Sequence, residues 1–243
     1  MTTGIDFGEA EALLREAEFL DCRPIWYSSN HVYLARACAR GEEFALVYKP
    51  KKGERPLWDF PDGSLYRHEA AAYELSKLLG WPFVPPTAVR DGPEGTGSTQ
   101  LFIPHDPEQH FFEQRERPEL IPQLRRICVF DVIANNADRK GGHCLLDKSE
   151  RIWCIDHGLC FHPQGKLRSV IWDWAGEDVP PGDLADIERA GKAIAARDEA
   201  SAALLTHLHT HEVTALLHRI ERVLKERKFP LPGQERHYPW PLV

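Results

Sequence analysis

Residues 135–143 read NNADRKGGH and follow directly on the run Pro122–Ala134. The pattern of that run predicts a helix with apolar residues around most of its girth, and such a helix lies in the middle of a core: Leu124, Ile127, Cys128, Phe130 and Ile133. The many polar and charged groups of a loop that directly follows a buried helix require an explanation. Either its groups serve as caps and ion pairs, or they carry chemistry, and Asp138 is then the strongest candidate.

Upstream of this loop, a strand ends in a lysine and a helix carries a glutamate. Apolar residues alternate over 44–48, which predicts a half-buried strand that ends at Lys49-Pro50. A helix is predicted over Leu65–Leu79, with Gly80 as its stop signal. Glu69 lies in the first turns of this helix.

Two turns complete the pattern. Ser28-Ser29-Asn30 lies between two early predicted strands. Asp156-His157-Gly158 follows the short predicted strands 144–146 and 152–155.

The order of these five features matches what ATP chemistry requires. A turn of small residues such as 28–30 places backbone N–H groups over phosphates. Lys49 on a strand neutralises phosphate charge, and Glu69 on a helix positions it. Asp138 accepts or orients the proton of a nucleophile, and Asp156 binds metal ions that bridge the phosphates. Each feature alone is typical of an ordinary turn or surface charge, so the inference depends on their order.

The rest of the chain fits a small sheet followed by helices. Residues 5–20 have helical spacing, 84–89 and 99–103 are predicted strands, and 183–228 are mostly helical with a break near 207–211. Residues 1–103 therefore predict a small sheet that carries one prominent helix.

Composition limits the classes of function. The net charge of −7 over 243 residues argues against bulk electrostatic binding of nucleic acid. No stretch approaches the roughly 20 apolar residues of a membrane helix, and the first residues do not resemble a signal peptide. The six cysteines form no C-x-x-C pair, which favours reduced thiols. We therefore expect a cytoplasmic protein with no transmembrane segment and no nucleic-acid partner.

The chain resembles the atypical kinases of the phosphatidylinositol 3-/4-kinase group. Its motifs are similar to those of type II phosphatidylinositol 4-kinases and HipA-like kinases, and more narrowly to a bacterial family of phosphatidylinositol 3-/4-kinase-like proteins. The segments that carry the resemblance are 45–50, 55–63, 68–73, 84–87, 100–102, 135–143 and 155–162.

The resemblance implies an α+β, two-lobed protein-kinase-like fold, with an N-lobe over 1–103 and a reduced C-lobe over 104–243. It implies ATP and Mg²⁺ or Mn²⁺ as cofactors. The nucleotide would be bound by the 28–30 turn, Lys49 and Glu69, with adenine against a hinge of four residues: Gln100, Leu101, Phe102 and Ile103.

The same resemblance implies roles in the second lobe. Asp138 would be the catalytic aspartate, Lys140 would meet the γ-phosphate, and Asp156 would be the main metal ligand. The family pattern has a metal-binding asparagine five residues after the catalytic aspartate, and His143 stands there instead. His143 is therefore expected to be a metal ligand of a different kind.

Alternatives remain open at this point. The histidine favours a nucleotide-binding pseudokinase as the second interpretation. A third is a metal-dependent hydrolase, whose zinc or manganese ligands would come from one set of side chains: Asp138, His143, Asp156, His157 and His162. The phosphoacceptor could be a lipid, a protein or a small metabolite.

Three further segments are weaker candidates. Trp58-Asp59-Phe60 could form a lid over the substrate, and Lys166 with Arg168 could hold an anionic head group. His207, His209 and His211 more often belong to a polar connection between two helices than to a metal site.

Overall fold

A five-stranded antiparallel sheet forms the first part of the protein. The computed structural model describes residues 6–25, 30–233 and 237–243. The sheet order is β1-β2-β3-β5-β4. The strands are β1 (Glu18–Pro24), β2 (Tyr33–Ala39), β3 (Glu42–Pro50), β4 (Thr87–Gly92) and β5 (Gly95–Leu101).

The register of β3 places Lys49 at the end of the sheet. Leu46 and Tyr48 are fully buried on one face, and alternation along the strand sends Lys49 to the other face. Lys49 lies opposite Ser98, and Pro50 lies opposite Gly97 of β5.

The predicted helix over Leu65–Leu79 is confirmed as α2. Gly80 ends it in the left-handed region at φ 74°, which a residue without Cβ adopts readily. α2 packs on β4 and β5 and also contacts α5 (Pro181–Ala196) and α6 (Ala202–His207). It therefore lies between the sheet and the C-terminal helices.

The remaining elements are helical apart from one short hairpin. The buried helix predicted from Pro122 is α4 (Ile121–Ala134), and a strand pair follows as β6 (Cys144–Leu146) and β7 (Ile152–Cys154). The other helices are α1 (Phe7–Glu16), α3 (Phe111–Gln114) and α7 (Thr210–Glu226). One buried apolar cluster joins side chains of α2, α4, α5, α6 and α7.

The first predicted helix differs from the structure. The helix predicted over 5–20 ends at Glu16, and Leu20 belongs to β1. The pairing of β1 with β2 shifts between Phe19 and Asp21, so Leu20 lies at an irregularity and is 45% exposed. The turn between β2 and β3 falls at Arg40-Gly41, where both φ angles are positive, as a tight hairpin requires.

Within the described ranges, no helix is long and apolar enough to cross a membrane. All six cysteines are free, and Cys128, Cys144, Cys154 and Cys160 are buried. The lobe boundary at residues 103/104 stays a prediction.

Gly97 allows β5 to approach β3 where Lys49 is held. A Cβ at this position would lie 2.6 Å from Cα of Pro50, a backbone atom that cannot yield. We expect Gly97→Ala to destabilise the protein by about 1–3 kcal/mol, the usual cost of overpacking. Gly182→Ala is the control, because nothing lies within 4 Å of its added Cβ. Urea unfolding of both variants measures the difference, and equal stability would show that the strands tolerate the added carbon.

Candidate active site

Lys49 lies between two carboxylates from different parts of the chain. Its Nζ donates to Glu69 Oε1 of α2 and, at 2.9 Å, to Asp156 Oδ1 of the turn after β7. The Glu69 side chain is 4% exposed, whereas that of Asp156 is 49% exposed. Burial opposes the charge of Lys49, but Asp156 and Glu69 outweigh it and raise the pKa of the lysine. In turn Lys49, more than any other group, holds the pKa of Asp156 well below its usual range. The three side chains therefore form a charged cluster that reaches solvent at Asp156.

Glu69 also fixes the turn that carries Asp156. Its Oε2 accepts the backbone N–H of His157 at 3.0 Å. Asp156 has φ 62°, a left-handed conformation that aspartate adopts more readily than most residues. The sequence thus predicts correctly that the helix glutamate and the strand lysine meet, and the structure adds that they meet at the Asp156 turn.

A fully buried arginine holds the loop that contains Asp138. Arg139 donates to both carboxylate oxygens of Asp131 on α4, at 2.8 and 2.9 Å. Its Nη1 donates to the Ile155 carbonyl at 3.0 Å, and Nη2 lies 2.8 Å from Nε2 of His157. One side chain therefore links α4, the Asp138 loop and the Asp156 turn.

Asp138 lies beside Lys140, as the sequence spacing suggests. Their Nζ–Oδ2 distance is 3.3 Å, and the Asp138 side chain is 26% exposed. Burial raises the pKa of Asp138 to about 6, with Asp156 adding to the rise and Lys140 opposing it. A carboxylate with this pKa is mostly ionised at pH 7 and is a better base than an ordinary aspartate.

His143 lies next to Asp156, where the family pattern has an asparagine. Its Nε2 is 3.4 Å from Asp156 Oδ2, and its Nδ1 accepts the Lys140 backbone N–H at 3.4 Å. Burial lowers the pKa of His143 to about 4, with Arg139 and Lys140 adding to the effect against Asp156. The imidazole is therefore neutral at pH 7, and because Nδ1 accepts the Lys140 N–H, its proton is on Nε2, which faces Asp156.

The four predicted hinge residues join the sheet to the rest of the chain. The Gln100 side chain is buried and donates to Thr87 Oγ1 at 2.9 Å, so it serves the sheet. Leu101 ends β5, and the Phe102 N–H donates to the Ala45 carbonyl at 3.1 Å. Ile103 is buried with Leu145 and Trp153. Their part in binding adenine stays a prediction.

The predicted phosphate turn is only partly described. Ser28 and Ser29 lie outside the described residues. Asn30 is described, and its Oδ1 accepts the Arg55 N–H at 2.9 Å, which ties the β1–β2 connection to the loop after β3.

The ligands of the alternative hydrolase are not brought together. His157 is buried against Arg139, and His162 Nε2 lies 2.8 Å from the Asp59 carbonyl. In residues 6–25, 30–233 and 237–243, no group of three or more His, Cys, Asp or Glu side chains could hold a metal ion. Asp156 and His143 are thus the nearby pair of potential protein ligands.

The candidate lid is attached to the segment after the Asp156 turn. Asp59 accepts from Lys166 Nζ at 2.8 Å, and that amine lies 4.8 Å from the ring centroid of Trp58. Trp58 is 92% exposed, whereas Phe60 is buried. Lys166 is therefore paired with Asp59 and is not free for an anion.

Two important contacts were not predicted from the sequence. The first is the Arg139–Asp131 pair, and a signal for it was present, since Asp131 lies in the apolar second half of α4 and a buried carboxylate needs a partner. The second is His68, which lies beside Glu69 and contacts the Gly158 carbonyl and Glu212. Its partner is 144 residues away, a distance that no local pattern reports.

Comparison with known sequences gives relatives along nearly the whole chain. The profile of the family "Phosphatidylinositol 3- and 4-kinase" matches residues 85–222. Protein Rv2133c of Mycobacterium tuberculosis is 36% identical, over 96% of this chain and 95% of its own. Phosphatidylinositol 4-kinase gamma 2 of Arabidopsis thaliana is 31% identical over a region that covers 35% of this chain and 19% of that kinase.

Solved structures with a similar fold include kinases. The Golgi casein kinase with Mn/ADP bound aligns over 98% of this chain and 80% of its own, with a TM-score of 0.59 and 12% identity. Hydra Fam20 aligns over 93% and 89%, with a TM-score of 0.57 and 14% identity. The Helicobacter pylori proinflammatory kinase CtkA aligns over 89% and 94%, with a TM-score of 0.51 and 12% identity. These likenesses confirm the predicted α+β kinase-like fold. Because the family profile matches more than half of the sequence, the chain belongs to the phosphatidylinositol 3- and 4-kinase family.

Proposed function

We propose that the protein transfers the γ-phosphoryl group of ATP to a hydroxyl group. The observation that carries the proposal is the position of Lys49 between Glu69 and Asp156. That pairing gives a phosphate-binding cation a fixed position next to an exposed carboxylate. Asp138 with Lys140 lies near enough for Asp156 to raise the pKa of Asp138. The family and the fold support the same class of chemistry.

The donor set fits a divalent metal ion bound together with a nucleotide. Mg²⁺ is usually held by one or two carboxylates plus phosphate oxygens and water. Asp156 would supply the carboxylate, and His143 Nε2, 3.4 Å from Asp156 Oδ2, would supply a second ligand in the tautomer that has its proton on Nδ1. The ion would neutralise charge that develops on the phosphates. Its second ligand favours Mn²⁺ more than an asparagine oxygen would.

The protein side chains act by position and charge. Lys49 neutralises the phosphates, and Glu69 keeps it in place. The Asp138 carboxylate accepts the proton of the acceptor hydroxyl while the hydroxyl oxygen forms its bond to the γ-phosphorus. The bond from that phosphorus to the ADP oxygen breaks in the same transfer, and Lys140 balances the charge that moves to the γ-phosphate.

The acceptor is identified by fractionation. The protein and γ-labelled ATP are incubated with a cell extract, and lipids, proteins and small metabolites are then separated. Label in one fraction gives the acceptor class. A nucleotide-induced thermal shift without label in any fraction would favour the pseudokinase instead, which the histidine at position 143 also favours.

ATP with Mg²⁺ or Mn²⁺ should stabilise the fold. At an ATP concentration 100 times the Kd, linkage predicts that binding raises the free energy of unfolding by about 2.7 kcal/mol. Lys49→Ala should weaken the thermal shift, and Asp156→Ala should remove its dependence on metal. Lys192→Ala is the control, because that side chain is 75% exposed on α5. No shift at millimolar ATP with either metal would contradict the proposal.

Asp138→Asn should lower kcat by at least about 10²-fold with little change in ATP affinity. The wild-type rate should also fall as the pH drops through about 6, because protonation removes the base. The variant should lack this acid limb. Asp178→Asn, at an 83% exposed side chain, should behave as wild type. Equal turnover of the two variants would show that Asp138 is structural.

His143→Asn should shift the metal preference. An amide oxygen suits Mg²⁺, whereas an imidazole nitrogen suits Mn²⁺, so activity with Mg²⁺ relative to Mn²⁺ should rise in the variant. Initial rates at matched metal concentrations measure the ratio. An unchanged ratio would mean that His143 only hydrogen-bonds within its loop.

A further inference from the structure

His68 connects the Asp156 turn to the C-terminal helix. It precedes Glu69 on α2 and is 1% exposed. Its Nδ1 lies 3.0 Å from the Gly158 carbonyl oxygen, and its Nε2 lies 3.0 Å from Oε1 of Glu212 on α7. The imidazole therefore spans the space between two elements more than 50 residues apart in sequence.

The partners define the protonation of this ring. A carbonyl oxygen only accepts, so Nδ1 must carry a proton. Burial alone would raise the pKa of Glu212, but the contact with His68 and the His209 N–H, which donates to Oε2 at 2.7 Å, lower it. Glu212 is then a carboxylate, and Nε2 of His68 contacts it at 3.0 Å.

The surroundings keep the ring in this orientation. The rings of Phe60 and Phe161 lie edge-on to His68, with centroids 6.1 and 5.9 Å away. Gly158 approaches α2 closely, because a Cβ there would lie 3.3 Å from Cβ of Leu65. The turn and the helix are thus in contact on either side of the hydrogen bond.

We propose that His68 is a positioning residue for the Asp156 turn. Two consecutive residues of α2 then hold two backbone groups of that turn: His68 holds the Gly158 carbonyl, and Glu69 holds the His157 N–H. Glu212 contacts the other nitrogen of the ring and keeps α2 attached to α7. This inference rests on the proposed function, because it assigns the position of Asp156 a consequence for metal–ATP use.

Two substitutions separate the two hydrogen bonds of His68. The amide nitrogen of asparagine lies close to where Nδ1 was, so His68→Asn keeps the donor to Gly158 and loses the contact with Glu212. The amide nitrogen of glutamine lies close to where Nε2 was, so His68→Gln keeps the contact with Glu212 and loses the donor to Gly158. His218→Gln, at an exposed histidine of α7, is the control.

The proposal predicts that, of the two His68 variants, the one with the lower Tm has the higher kcat. His68→Asn leaves the buried Glu212 carboxylate without its side-chain partner on α2, so its Tm should be the lower of the two. Its kcat should nevertheless stay within about threefold of wild type, whereas kcat of His68→Gln should fall by about tenfold or more, since a small displacement of a site group is costly. The KM for metal–ATP should rise in His68→Gln only.

The outcomes distinguish this inference from the proposed function. If activity follows Tm in both variants, or if both keep wild-type kcat, His68 is merely structural and the inference is overturned. If the wild-type protein neither transfers phosphate nor responds to metal–ATP, both proposals fail. If neither His68 variant folds, Glu212→Gln decides. It should lower Tm and leave kcat within about threefold, and a tenfold loss of kcat in soluble, folded Glu212→Gln would contradict the assigned roles.

Discussion

The buried pair of Arg139 and Asp131 is the interaction on which the candidate site depends. A guanidinium with no exposure to solvent is tolerated only when its donors are matched, and here they meet a carboxylate, a carbonyl and an imidazole nitrogen. The residue before Arg139 is the proposed base, and two of the residues that Arg139 contacts, Ile155 and His157, flank Asp156. A single charged side chain thereby fixes both aspartates relative to the core helix α4.

α2 contributes a second set of contacts to the candidate site. Its glutamate reaches the strand lysine, its histidine reaches α7, and both reach the turn between them. The site is consequently held by contacts among four separate segments of the chain. Mobile loops are not needed to bring Lys49, Glu69 and Asp156 together in the described structure.

Local patterns predicted the elements and the order of the site residues well. The bounds of α2 follow from apolar spacing and from Gly80, and α4 follows from a run of apolar residues with few breaks. Prediction was wrong where tertiary pairing overrides local spacing, as at Leu20, whose helical periodicity yields to pairing of β1 with β2. It also could not find His68, because the chemistry of that residue depends on a glutamate far along the chain. The Arg139–Asp131 pair could be anticipated in part. A carboxylate among the apolar residues of α4 needs a cationic partner, although the sequence does not say which residue that is.

The apolar face of α2 has a consequence for how the protein unfolds. Ala71, Ala72, Tyr73, Leu75 and Leu79 belong to the same buried cluster as side chains of α4, α5 and α7. A fragment that stops after the sheet would expose this face to water and lose its apolar partners. The sheet and the helices are therefore expected to melt in one cooperative transition, with a calorimetric enthalpy equal to the van't Hoff enthalpy. The expected unit of folding therefore includes both the sheet and the helices.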